Sequence, residues 1–149
     1  MAFLNSLDIV GSALTAQRYR SDIILQNMAN AKTTRTAAGG PYRRKQVVFE
    51  ERPLGFRESF AHARSRYNTL ASTGGVRVQE MVDSTNELKP VYDPQHPDAD
   101  GDGYVWYPNV DTTEEMVDLM AASNSYEANL TAMSVVKAMI AKSLEVGRS

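Results

Sequence analysis

The chain has 149 residues, a formal charge of −2 and no cysteine. That length is one domain's worth, and the balanced charge gives no general attraction to nucleic acid. Thiolate catalysis, iron–sulfur clusters and cysteine-ligated zinc are excluded, and passage between redox compartments is harmless.

Residues 3–31 are predicted to form a long helix. Steps of four and three pick out Phe3, Leu7, Val10, Leu14, Gln17, Ser21, Ile24, Met28 and Ala31. This is a heptad-like apolar stripe with a polar centre, and no proline interrupts it. The start does not read as a cleaved secretion signal, because Asn5 and Asp8 interrupt its apolar residues and no Lys or Arg precedes Arg18. No run approaches the roughly 18 apolar residues that span a bilayer.

Thr33, Thr34, Thr36, Gly39, Gly40 and Pro41 end the helix. Gln46–Phe49 reads as a short strand after the basic run Arg43-Arg44-Lys45. Pro53 and Gly55 break the chain again, and 56–73 fits a weak helix or an irregular insertion. Gly74-Gly75 leads into a strand over Val76–Val82. Residues 84–103, rich in Pro, Asp and Gly, are predicted as loop with tight turns. Tyr104–Tyr107 reads as a buried aromatic strand stopped by Pro108.

A second long helix is predicted from Asp111 or Thr112, with Glu114 and Glu115 favouring its positive end. Its stripe is Met116, Leu119, Ala122, Tyr126, Asn129, Met133, Val136, Ile140 and Ser143, and Gly147 fits its end. The fold class follows: mainly α with a small β middle. The end helices pair as an antiparallel coiled coil, made of 1–35 and 111–149, around a β/loop middle of 36–110. So small a middle cannot cover both stripes. The expected assembly interface is Leu7, Val10, Leu14, Ile24 and Met28 with Met116, Leu119, Tyr126, Met133, Val136 and Ile140.

Charge is unevenly spread. Residues 1–52 hold eight basic and four acidic side chains, a net of +4, and residues 98–118 hold seven acidic and no basic ones, a net of −7. Either these are two solvated faces, or they meet between neighbouring copies.

Few motifs carry chemistry. Asp98, Asp100, Asp102 and Gly103 imitate the opening of an EF-hand loop, but the twelfth position is Asn109 where a bidentate Glu is needed, and prolines forbid a preceding helix. An Asx-rich turn is the better reading. His62 and His96 have no partner triad nearby and read as solvated loop residues. Trp106, Tyr104 and Tyr107 could stack on nucleic-acid bases, but their flanks are acidic.

From Val91 onward a resemblance appears. It lies in Val91-Tyr92-Asp93-Pro94-Gln95-His96-Pro97, Gly103-Tyr104-Val105 and Pro108-Asn109-Val110. Glu115–Ala122 and Ser125–Asn129 continue it, and Gly11–Arg18, Asn27–Ala31 and Pro41–Phe49 agree. Together these segments resemble the flagellar axial proteins, and the proximal-rod members in particular, over nearly the whole chain outside 54–73. The resemblance implies a non-enzymatic structural subunit of the bacterial basal-body rod. Such a subunit assembles helically with copies of itself and other flagellar rod proteins, on the membrane-embedded ring at the rod base. It transmits torque, lines the export channel and leaves through the flagellar type III export apparatus without a cleaved signal peptide. No cofactor, nucleic acid or small-molecule substrate is expected. The alternatives are another axial rod or hook-family protein, which the 91–110 segment disfavours, and a calcium-responsive coiled-coil interaction module.

Overall fold

The structure, a computed structural model, describes residues 2–52 and 74–147. The ambiguous stretch at 56–73 and His62 therefore lie outside the described residues. Among these residues there are two helices with two small antiparallel sheets between them. Helix α1 spans Ala2–Ala29, strands β1 to β4 span Lys45–Glu51, Val76–Asp83, Lys89–Tyr92 and Tyr104–Tyr107, and helix α2 spans Thr112–Val146. Strand β1 pairs with β2, and β3 with β4. No helix among the described residues is long and apolar enough to cross a membrane.

The helices arise where the sequence places them. Helix α1 stops where Asn30 and the threonines satisfy the last turn: the Asn30 N–H and side-chain amide both donate to the Gln26 carbonyl, at 3.1 and 2.9 Å. Gly39 and Gly40, at φ of +86° and +77°, then turn the chain back. Helix α2 takes Asp111 as its N-cap, since Asp111 Oδ1 accepts from the Thr113 N–H at 2.9 Å. The N–H groups of Thr113 and Glu114 hold the Asp111 carboxyl below its ordinary pKa.

Two expectations for the middle are corrected. Residues 84–103 are not all loop, because β3 lies within them and pairs antiparallel with β4, from Lys89↔Tyr107 to Tyr92↔Tyr104. Pro90 argued against a strand, but a two-stranded hairpin is all edge, where proline is tolerated. Nor is β4 buried throughout. Val105 is 0% exposed, whereas Tyr104 and Trp106 are 42% and 44% exposed. Alternation along the strand sends Val105 to one face and the aromatics to the other.

The chain divides into two compact units. One comprises 19–48 and 80–123. Its core is Ile23 and Ile24 from α1, Tyr42, Val105, Val110 and Ala122, with Asn27, Pro108 and Glu115 also buried. The other holds 1–18, 49–79 and 124–149. Within it the Ser12 hydroxyl donates to the Ile9 carbonyl at 2.6 Å and accepts from the Val76 N–H at 3.1 Å. An Arg77–Glu50 ion pair lies between β2 and β1.

Gly75 makes a close approach within that second unit. Its φ is +90°, and a Cβ there would sit 2.3 Å from Ser12 Oγ and 3.3 Å from Ile9 Cα. Gly75→Ala should therefore cost more than about 2 kcal/mol, from backbone strain and overlap together. Urea unfolding followed by circular dichroism will measure this, and an unshifted midpoint would disprove the close approach.

Candidate functional site

The most organised side-chain cluster is a polar clasp inside the 19–48/80–123 unit. Asn27 sits on the inward face of α1, one turn after Ile23 and Ile24, and is 1% exposed. Its Oδ1 accepts from the Lys45 N–H and from the Tyr42 hydroxyl, both at 2.9 Å. Its Nδ2 donates to the Lys45 carbonyl at 2.9 Å and to Glu115 Oε2 at 3.0 Å. Two donors and two acceptor sites are all that a primary amide offers, so Asn27 is saturated. In effect its side chain pairs with the first residue of β1 as a neighbouring strand would.

Glu115, 0% exposed, supplies the charge. Arg44 Nε donates to Glu115 Oε1, Arg44 Nη2 lies 3.1 Å from Asp118 Oδ2, and Nη1 lies 3.6 Å from Glu114 Oε1. Arg20 reaches Asp118 at 3.6 Å. Burial pulls the Arg44 guanidinium pKa down, but the hydrogen bond and charge of Glu115, then Glu114 and Asp118, more than offset it, and the net shift is upward. Burial, helped by the charges of Asp83 and Glu115, also raises the Tyr42 phenol pKa. Tyr42 is thus a neutral hydroxyl donor.

The backbone at Arg44 is held as well. Its N–H donates to Asn109 Oδ1 at 3.0 Å, and its carbonyl accepts from the Ser84 N–H at 2.7 Å. Pro108 and Val110, either side of Asn109, are buried. Asn109, weighed from sequence as a missing calcium ligand, is instead a structural acceptor. The aspartates before it face different partners. Asp98 accepts from the Thr34 hydroxyl at 2.8 Å and lies 3.7 Å from Arg35. Asp100 accepts from the N–H groups of Asp102 and Tyr104, both at 3.0 Å, and from the Trp106 indole at 3.2 Å. The Tyr104 N–H first, then Asp102, the Trp106 indole and Gly103, holds the Asp100 carboxyl below its ordinary pKa. His96 Nδ1 accepts from the Asp98 N–H at 3.1 Å. Among the described residues no group of three His, Cys, Asp or Glu side chains could hold a metal ion.

Part of the basic and acidic segments meets within one chain. Arg20, Arg35 and Arg44 pair with Asp98, Glu114, Glu115 and Asp118 of their own chain.

The expected interface residues fall into three groups. Ile24 is buried. Leu7, Val10, Leu14, Met28, Leu119, Met133, Val136 and Ile140 are half-buried, while Met116 and Tyr126 are exposed. The stripe predicted for the start of α2 is therefore one residue late, because Glu115 rather than Met116 turns inward, where Asn27 and Arg44 receive it. A second apolar set lies opposite the inward face: Val117, Met120, Val135, Met139 and Val146 are all exposed.

Two long helices, a small β middle and a clasp made of structural contacts describe a building block. Residues 102–146 match the family model described as flagellar basal body rod FlgEFG protein C-terminal. Over nearly its whole length the chain is 42% identical to the flagellar basal-body rod protein FlgC of Bacillus subtilis, with 99% of this chain and all of that one covered. It is 43% identical to the FlgC of Escherichia coli O6:H1, with 99% and 100% covered, and 40% identical to that of Borreliella burgdorferi, with 98% of each. The chain belongs to the FlgC family of flagellar basal-body rod proteins, a family of structural subunits.

Proposed function

We propose that this protein builds the proximal part of the flagellar rod by helical assembly, as a non-enzymatic subunit. Its neighbours are copies of itself, other rod proteins and the membrane-embedded ring at the rod base. In that position it transmits torque and lines the channel through which later components pass. It reaches the site through the flagellar type III export apparatus without a cleaved signal peptide. Segments 1–35 and 111–149 form an antiparallel coiled-coil core, with 36–110 as the middle. The Asn27–Glu115 and Arg20–Asp118 contacts between α1 and α2 support that pairing.

One observation carries the assembly reading. Helix α2 is apolar on two opposite faces, one turned inward and one exposed. Apolar side chains left exposed along a helix mark a surface that another protein covers. The stripe residues Leu7, Val10, Leu14, Ile24, Met28, Met116, Leu119, Tyr126, Met133, Val136 and Ile140 form the other part of the assembly seam.

The test is complementation of a strain lacking this protein. Leu14→Asp and Ile140→Asp should abolish basal-body completion and swimming, with the protein still made, because each places a charge in an apolar seam at a cost of several kcal/mol. Val117→Asp should leave the helicity of the purified chain unchanged and still prevent incorporation into the rod. Normal swimming in all three strains would refute the seam.

A further inference from the structure

The β3–β4 hairpin carries a face that the clasp does not use. Cross-strand partners share a face, so Pro90 and Trp106 lie beside Tyr92 and Tyr104. The tyrosine rings meet edge to face with centroids 5.3 Å apart. Tyr92 is 65% exposed, and Tyr104 and Trp106 are nearly half exposed. The face is built, not incidental. Asp100 fixes the indole through Trp106 Nε1. Gly103, at φ +82°, leaves room for Tyr92, whose Cε2 would lie 3.1 Å from a Cβ there.

Its charge is one-sided. Between Pro90 and Tyr107 there are four aspartates and no Lys or Arg, and Lys89, opposite Tyr107, alternates to the other face. Asp98 is engaged by Thr34 and Arg35 and the half-buried Asp93 by the Gln95 N–H at 3.2 Å, while Asp100 and Asp102 are exposed. Ring faces carry a negative quadrupole, and with the Asp100 carboxylate at the indole edge they favour a cation over a neutral or acidic ligand. We propose that this aromatic face docks a basic peptide segment, an arginine- or lysine-bearing stretch of another polypeptide. Its side-chain cations lie over Trp106 and Tyr92, and the aspartates meet the charge. The inference stands apart from the rod assignment, because it concerns one hairpin face and can be read in solution.

Trp106 is the sole tryptophan, so its emission reports the face directly. The purified full chain is titrated with a hexa-arginine peptide, and in parallel with hexa-glutamate, hexaproline and chitotetraose. The expected result is a saturable change in Trp106 emission with hexa-arginine alone, weakened by added salt. Tyr92→Ala should weaken binding roughly tenfold. The near-isosteric Asp102→Asn, which removes charge at an exposed carboxylate, should weaken it as well. Asp22→Asn on α1 should leave it unchanged. Unchanged emission with hexa-arginine would overturn the proposal, as would equal affinity in Asp22→Asn and Asp102→Asn. Binding of hexaproline or chitotetraose in place of hexa-arginine would assign the face to a proline-rich segment or a glycan and overturn it equally.

Discussion

Asn27→Ala should unfold the unit made of 19–48 and 80–123 under conditions where the parent chain is stable. The substitution removes little volume and almost no apolar surface, so its effect comes from what it leaves behind. The Lys45 N–H and carbonyl, the Tyr42 hydroxyl and Glu115 Oε2 all lose a partner. Each stranded group costs roughly 1–3 kcal/mol where water cannot replace the bond. Partial relaxation makes a total of about 3–5 kcal/mol reasonable, a large share of a typical domain's 5–15. Asn27→Asp is the sharper control. It keeps both acceptor contacts but replaces the donor facing Glu115 with a second carboxylate, and should be at least as damaging at neutral pH. Trp106 lies in this unit, so its emission and far-ultraviolet circular dichroism in urea read the same event. A loss under about 1 kcal/mol for Asn27→Ala would mean that the clasp does not hold the unit together.

Much of the fold was legible in the sequence, for identifiable reasons. Apolar spacing located α1 and α2, since each runs for many turns without a proline. Asp111 and the threonine–glycine turn after Ala31 marked helix ends, because capping chemistry is local. Strands β1, β2 and β4 were signalled by Val-Val-Phe, Val-Arg-Val and Tyr-Val-Trp-Tyr between turn residues. Strand β3 was missed because its four residues include Pro90, and an edge position cannot be told from a central one by sequence.

The clasp was missed for a deeper reason. Counting apolar residues finds a buried face only where that face is apolar. Asn27 and Glu115 read as surface residues, and the count accordingly chose Met28 and Met116 beside them. Three signals were nonetheless present. Asn27 breaks an inward row formed by Ala16, Ile23 and Ile24. Tyr42-Arg43-Arg44-Lys45 places a hydroxyl and a cation immediately before a strand. The net charges of 1–52 and 98–118 were opposite. Composition gave that opposition, but which guanidinium meets which carboxylate depends on tertiary approach. Arg44 is in the clasp, while Arg43 beside it is exposed and donates to the Ser84 carbonyl at 3.4 Å.

Arg44 and Glu115 together yield the remaining prediction, in which a double change is milder than a single one. The Arg44 side chain is 12% exposed and that of Glu115 is 1% exposed, so the pair is largely shielded from water. Arg44→Met keeps the aliphatic packing but leaves a buried carboxylate with Asn27 as its remaining partner, at a cost of about 3–5 kcal/mol. Adding Glu115→Leu removes that stranded charge. The double variant loses one Asn27 hydrogen bond but gains apolar contact, and should lie within about 1–2 kcal/mol of the parent chain. Asp118→Asn tests the exposed side of the same cluster. Asp118 is 36% exposed, and pairs of that kind contribute about 0–1 kcal/mol. The cycle over Arg44 and Glu115 should therefore give a coupling of about 2 kcal/mol or more, from urea midpoints of the four chains. If Arg44→Met costs no more than Asp118→Asn, Glu115 is not held by Arg44 and the start of α2 is fixed by packing alone.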